Sequence, residues 1–370
     1  MSEWKKVTLG ELIDSGECAI YDNLRKPLSK IERNKMKYGN LYPYYGAGNV
    51  IDFINRYCFD GYYLLIAEDG TVTSDGTKPT LQLVNGKFWV NNHAHVLQCK
   101  SEWKTKFLYY ALLNVDINPY ITGSVQPKLN QKNLLSISLL IPESESEQRA
   151  IASIFPPIED KIELLRQENE TLYNMINTLF KQWFIKEAKE DWERPKLGEV
   201  VTITYGKNLP TKNLLESGYP VFGSNGQIGF YNEYMYDEPQ VLISCRGAAS
   251  GKVNISLPKS FVTNNSFILV RDKRKDIPLE YLKYYCLNYD FTPYITGSAQ
   301  PQITIDNLYN AEFLIPPLDL INKFIEIVKV VEDKQINISE QIQTLSQLFD
   351  TLLHGLMSGK LRVDDVLCQS

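Results

Sequence analysis

The chain has 370 residues, 44% of them apolar, which suits an ordered protein of two domains and excludes a disordered one. No apolar run approaches a membrane span and the start lacks a signal-peptide pattern, so a cytoplasmic protein without a membrane partner is expected. The net charge of -5 argues mildly against a nucleic-acid partner, an objection that weakens once local charge is counted.

Residues 1–142 are rich in Gly, Pro, Tyr and Phe, with short runs such as Tyr63-Leu64-Leu65-Ile66 that signal strands broken by turns. Cys18, Cys58, Cys99, Cys245, Cys286 and Cys368 are scattered without a C-x-x-C pair, and read as reduced, mostly packed thiols. Residues 25–37 hold Arg25, Lys26, Lys30, Arg33, Lys35 and Lys37 against the single acid Glu32. Any one such run is commonly a solvated face; runs in both halves of the chain favour phosphate contact.

Tyr44-Tyr45-Gly46-Ala47-Gly48 resembles a methyl-donor loop. An adenine methyltransferase also needs two consecutive prolines, and Asn118-Pro119-Tyr120 has one. The loop is therefore read as a strand connection in which Gly supplies positive φ. His93 and His95 alternate on one strand face but lack a clustered third ligand. No metal is expected, and His93 reads better as a surface or base-contacting residue. A short helix is expected near 104–114.

A helical segment, 143–190, follows. Ser144 is placed to cap it, with Glu147 three residues on and Glu145 in the first turn. Phe155, Ile158, Ile162, Leu165, Asn169, Leu172, Ile176, Leu179 and Trp183 alternate by three and four, the rhythm of a coiled-coil seam.

From 191 the pattern begins again. Pro119-Tyr120-Ile121-Thr122-Gly123-Ser124-Val125-Gln126-Pro127 recurs 174 residues later as Pro293-Tyr294-Ile295-Thr296-Gly297-Ser298-Ala299-Gln300-Pro301. Asn133-Leu134 answers Asn307-Leu308, Ile141-Pro142 answers Ile315-Pro316, and Asn91-Asn92 is matched to Asn264-Asn265. The second domain, 191–316, has the strand run Val241-Leu242-Ile243 and a helix near 278–288. Its basic residues are Lys207, Lys212, Arg246, Lys252 and Lys259, then Arg271, Lys273, Arg274 and Lys275. Gly247-Ala248-Ala249-Ser250-Gly251-Lys252-Val253 is one residue short of an ATP loop and lacks its final hydroxyl. It is read as a nest for a DNA phosphate, with Ser250 and Lys252 in it.

A second helix, 317–360, is placed for capping by Asp319 and carries Val328, Val331, Gln335, Ile338, Ile342, Leu345, Phe349, Leu352 and Leu356 in the same rhythm; 361–370 is a tail. Each seam has one polar break, Asn169 and Gln335, at different heptads. Glu159-Asp160-Lys161 and Glu332-Asp333-Lys334 share the E-x-K of metal-dependent nucleases, but a solvated helix face explains them better. The fold expected is α+β: two similar mixed α/β domains, separated by two long helices packed as an antiparallel coiled coil, in a pseudo-twofold tandem repeat.

The chain resembles the specificity (S) subunits of Type I restriction-modification systems. The carriers are Gly123 to Pro127 and Gly297 to Pro301, the Ile-Pro leads into the helices, with Glu147-Gln148 after the first, and the closing Leu356-Met357-Ser358-Gly359-Lys360-Leu361. Asp319-Leu320-Ile321-Asn322 departs from the usual Glu-Gln pair. The resemblance implies two target recognition domains, each reading half of a bipartite asymmetric DNA sequence, and helices that set the spacing and dock two methylation (M) subunits. Those subunits would bind S-adenosylmethionine; restriction and motor (R) subunits would cleave. The chain itself would be non-catalytic and hold no cofactor.

Domains that read different half-sites should share residues that build the fold or hold phosphates, and differ where bases are read. Asn92 and Asn265, and Gln126 and Gln300, are on that basis assigned to scaffold or backbone contact. Asp69 aligns with Arg246, each directly after a strand. Arg246 is expected to read a guanine edge and Asp69 to accept from a cytosine amino group; a local turn contact is the alternative. The competing function is an autonomous adenine methyltransferase reading its own target. A protein scaffold built on the coiled coil is a third reading.

Overall fold

The computed structural model describes residues 3–123, 125–297 and 300–367; Ser124, Ser298, Ala299 and Cys368 lie outside the described residues. Among the described residues no helix is long and apolar enough to cross a membrane. The chain forms two compact units, Met1–Leu165 with Gln341–Ser370, and Arg166–Glu340.

The first unit is built on a six-stranded sheet in the order Cys18–Ile20, Ala94–Cys99, Phe59–Ala67, Leu81–Val90, Tyr42–Tyr45, Val50–Ile54. All neighbours are antiparallel except Leu81–Val90 with Tyr42–Tyr45. Residues 64 to 67, at the centre, are all buried, as a strand covered on both faces requires. A helix, Glu102–Leu113, buries Phe107, Leu108, Tyr110, Ala111 and Leu112 in the same core as Leu64, Ile66 and Leu97. That core also takes in Phe155, Leu353, Leu356 and Met357, so the helical segments of this unit are anchored in the domain. Phe155 lies between Tyr110 and Phe349, at ring-centroid distances of 4.5 and 5.1 Å.

The second unit has a four-stranded sheet, Val253–Ile255, Val241–Ser244, Ser266–Val270, Thr202–Tyr205, and a three-stranded one, Gly226–Tyr231, Tyr219–Gly223, Phe261–Val262. Here Leu279–Asn288 takes the place of Glu102–Leu113. Phe180 and Phe324 of the long helices join its core, 5.6 Å apart.

The long helices span Pro156–Lys181 and Leu318–Met357. Within the second unit Asn169 meets Gln335 while Phe180 meets Phe324, so the helices run antiparallel, as expected. Of the expected seam, Ile162, Leu165 and Ile338 are buried, Leu172 packs on the second core, and Asn169, Gln335, Ile342 and Leu345 are half-buried. Ser144 Oγ accepts from Glu147 N at 3.4 Å. The helix it caps, Glu145–Ile154, is separate from Pro156–Lys181 because Pro156 and Pro157 have no N–H to continue the ladder. Asp319 is not the cap; it lies in the first turn of a helix that begins at Leu318.

Three further expectations are corrected. Cys18 and Cys99 are not separate thiols: their strands pair them directly and a disulfide joins them, whereas Cys58, Cys245 and Cys286 are free. Gly46 and Gly48 do connect two strands, but neither has a positive φ. Positive φ is needed instead at Gly123 (87°) and Gly297 (86°), where a Cβ would stand 2.4 and 2.7 Å from the carbonyl oxygens of Gln126 and Gln300. Finally, Glu159 is not on a solvated face. The buried Tyr110 donates to it at 2.6 Å, and Tyr284 donates to Glu332 at 3.1 Å in the second unit. Each carboxylate ties its long helix to the short helix of its own domain.

Candidate nucleic-acid interface

Backbone hydrogen bonds fix how the two domains correspond. Glu68 N donates to His93 O and Leu129 N to Glu68 O; in the second domain Cys245 N donates to Asn265 O and Ile303 N to Cys245 O. Lys26 N donates to Val90 O, and Lys207 N to Val262 O. Asp69 bridges Lys128 as Arg246 bridges Gln302. Asp69 and Arg246 therefore occupy one position, as the sequence indicated.

The asparagine match shifts by one residue. Asn265 stands where His93 does, and Asn264 where Asn92 does. His95 faces Ile66 across the sheet as Phe267 faces Ile243. Asn91-Asn92 and Asn264-Asn265 share letters but not positions, because the hydrogen-bond frame, not residue identity, defines equivalence. Asn91 is buried and its Oδ1 accepts from His93 N, which makes it part of the frame.

Three connections converge at one end of each sheet: the second residue after Phe59–Ala67 or Val241–Ser244, the residue before the neighbouring strand Ala94–Cys99 or Ser266–Val270, and the residue closing the Gly123 or Gly297 loop. They carry Asp69, His93 and Lys128 in the first domain, and Arg246, Asn265 and Gln302 in the second. His93 and Lys128 are about half exposed, and Arg246, Asn265 and Gln302 are exposed. Lys128 and Gln302 escaped the sequence reading, although the repeated segments diverge right after Pro127 and Pro301. Gln126 and Gln300 are exposed on the same loops, and Asn92 beside His93.

Behind the first trio lies a buried charge network. His95 is 1% exposed; its Nδ1 lies 2.5 Å from Asp22 and its Nε2 2.8 Å from Leu129 O. Arg25 Nη1 donates to Glu68 at 2.7 Å and to Ala94 O at 2.9 Å, and Lys128 reaches Glu68 at 3.2 Å. Burial works against the Glu68 carboxylate, but Arg25, His95 and Lys128 outweigh it and lower its pKa. Asp22, Glu68 and His95 are close enough together for metal ligands. Arg25 and Lys128 already supply the cations there, and both His95 nitrogens are engaged, so the cluster is a structural ion network. The second domain puts Cys245 and Phe267, both fully buried, where Glu68 and His95 stand.

The basic run divides into two kinds. Arg33 donates to Asp52 at 2.9 Å and to Leu28 O at 2.7 Å, with its guanidinium 5.2 Å from the Tyr44 ring centroid. Lys37 pairs with the same Asp52 at 2.8 Å, and the Asp52 pKa falls to about 2, from Lys37 first and then Arg33. Arg25 and Arg33 are therefore structural. Lys26, Lys30 and Lys35 are exposed and form no ion pair among the described residues. In the second domain Lys207 is exposed in a loop and Lys212 in the short helical turn Thr211–Asn213. Arg274 is occupied by Asp276 and Glu193, and Lys273 by Gly198 O, so that run is structural too.

The phosphate nest is not formed. The N–H groups of Gly247, Ser250, Gly251 and Lys252 all donate to carbonyls of the protein. Ser250 Oγ donates to Gly247 O or Pro301 O, at 2.8 and 2.9 Å, which makes it a brace of the loop. Lys252 remains exposed, with Nζ 3.4 Å from Asn225.

One backbone frame is thus built twice, with different side chains at the same convergence point, the arrangement of a tandem two-domain protein. The chain belongs to the family described as the Type I restriction modification DNA specificity domain, whose model matches residues 1–174 and 189–346. It is 25% identical over 348 residues to a putative Type I restriction enzyme specificity subunit of Haemophilus influenzae, covering 87% of each chain. It is 24% identical over 308 residues to the MjaIX specificity subunit of Methanocaldococcus jannaschii, covering 71% of this chain and 70% of that one. Its fold is similar to the crystal structure of a Type I restriction-modification S subunit from M. genitalium, with a TM-score of 0.60 and 16% identity over 96% of each chain.

Proposed function

We propose that the chain is the DNA-sequence specificity subunit of a Type I restriction-modification complex, with each domain reading one half of a bipartite, asymmetric double-stranded target. The observation that carries this reading is the pair of trios, Asp69, His93 and Lys128 against Arg246, Asn265 and Gln302, at one place in a shared frame. Shared backbone positions suit register on a duplex; divergent side chains suit different bases.

The chain contributes no catalytic group in this reading. Two M subunits, docked on the antiparallel helices and binding S-adenosylmethionine, would methylate adenine in the DNA; the length of the helices would set the half-site spacing, and R subunits would act on unmodified DNA. Lys26, Lys30, Lys35, Lys207, Lys212 and Lys252 would contact phosphates. The test is to map methylated adenines genome-wide in cells with and without this chain. One bipartite motif should vanish with it. Persistence of every motif would overturn the assignment, and saturable S-adenosylmethionine binding by the chain alone would restore the autonomous methyltransferase.

A further inference from the structure

Asp69 is engaged by a neighbour through one of its two carboxylate oxygens. Its Oδ1 lies 2.7 Å from His93 Nδ1, with the Asp69 side chain 32% exposed and the His93 side chain 48% exposed. A carboxylate only accepts, so Nδ1 carries the proton, and in the neutral ring Nε2 is left with its lone pair. The backbone holds this pair from both sides. Glu68 N donates to His93 O, Asn91 Oδ1 accepts from His93 N, and Asp69 is bridged to Lys128. The network of Asp22, Arg25, Glu68 and His95 fixes the strand ends from which both residues project.

We propose that His93 is a specificity-determining residue of the first domain, presenting Nε2 as a hydrogen-bond acceptor to a base edge, and that Asp69 is its positioning residue. An acceptor in the major groove reads an exocyclic amine, N4 of cytosine or N6 of adenine. The second domain has Asn265 in the place of His93 and Arg246 in the place of Asp69, so no such pair forms there and its trio speaks a different hydrogen-bonding vocabulary. This inference rests on the proposed function, and its test separates the two.

The experiment uses the complete complex with its methylation subunits and measures methylation of the cognate target and of every single-base variant of both half-sites. If the wild-type complex shows no bipartite preference, the proposed function fails before His93 is at issue. With that preference established, His93→Ala should erase discrimination, by about three- to tenfold, at one base pair of the first half-site. Asp69→Ala should relax the same position, and Asp69→Asn, whose Oδ1 still accepts from Nδ1, should restore part of it. Arg246→Ala should relax only the second half-site.

Removing the amine from the DNA identifies the base. Either 2-pyrimidinone in place of cytosine or nebularine in place of adenine, at that position, should weaken the wild-type complex and leave the His93→Ala complex unaffected. Undisturbed second half-site preference in each variant reports intact folding. A His93→Ala complex that keeps all base preferences, or loses methylation equally on all sequences, would falsify the assignment. Relaxation at different positions by His93→Ala and Asp69→Ala would also sink it, by separating the pair.

Discussion

Gln335 Nε2 donates to the backbone carbonyl oxygen of Asn169 at 3.3 Å, so the two polar residues of the seam meet across it. Antiparallel pairing brings together positions that lie in different heptads of their own helices. Asn169 Oδ1 is buried without a hydrogen-bond partner. Because Gln335 bonds the backbone, Asn169→Leu keeps that bond and removes the unsatisfied oxygen. It is expected to stabilise the protein by about 1 kcal/mol, or roughly 2–4 °C in Tm. An unchanged or lower Tm in thermal denaturation would mean that the amide is satisfied by water.

The same pairing predicts the behaviour of a fragment spanning 1–190. Two copies related by the twofold that exchanges the repeats would place Asn169 opposite Ile162 instead of Gln335. The fragment should homodimerise weakly, Asn169→Leu should tighten it, and sedimentation across a dilution series reads both effects. With methylation subunits the dimer should mark a palindrome of the first half-site. If both fragments stay monomeric, the seams recognise only each other.

Spacing is tested by deleting 163–169 together with 335–341, segments that face each other under this pairing. The seams stay in phase, and the separation of the domains should fall by roughly 10 Å, about three base pairs. Methylation across targets with spacers varied by single base pairs should then lose the wild-type optimum. A folded deletion protein that keeps that optimum shows that the helices are not the ruler.

Charge removal should separate the two kinds of basic residue. Lys26→Gln, Lys30→Gln and Lys35→Gln should each reduce the slope of log affinity against log salt by about one unit per true phosphate contact, without changing Tm. Arg33→Gln should instead lower stability, since it breaks the bonds to Asp52 and Leu28 O. The depressed Asp52 pKa contributes stability that is present above about pH 4 and lost as pH falls towards about 2. Acid titration of Asp52→Asn should lack that component.

Glu159 works in the opposite direction. Burial, partly offset by hydrogen bonds from Tyr110 and Tyr109, raises its pKa. Its contribution is full below the unfolded pKa and is lost as pH rises through the folded one. Glu159→Gln should remove this dependence at little cost. Glu159→Ala should cost about 1–3 kcal/mol, because it strands the buried Tyr110 hydroxyl. Denaturant melts at several pH values check both; equal melts for the two variants would show that the Tyr110 contact contributes nothing.

The tandem architecture, the antiparallel helices and the correspondence of Asp69 with Arg246 are legible along the chain alone. Periodicity and repetition are local signals, read along the chain without knowing what touches what. That Asn265 answers His93 emerges from the folded chain, because equivalence there is set by backbone hydrogen bonds between segments far apart in sequence. Pairing across space likewise decided which charges are free. Arg33 and Lys35 are two residues apart in one basic run, yet Arg33 reaches Asp52 on a neighbouring strand while Lys35 stays exposed. Composition counts charges; only the fold brings a partner within hydrogen-bonding distance of one and leaves the other to solvent.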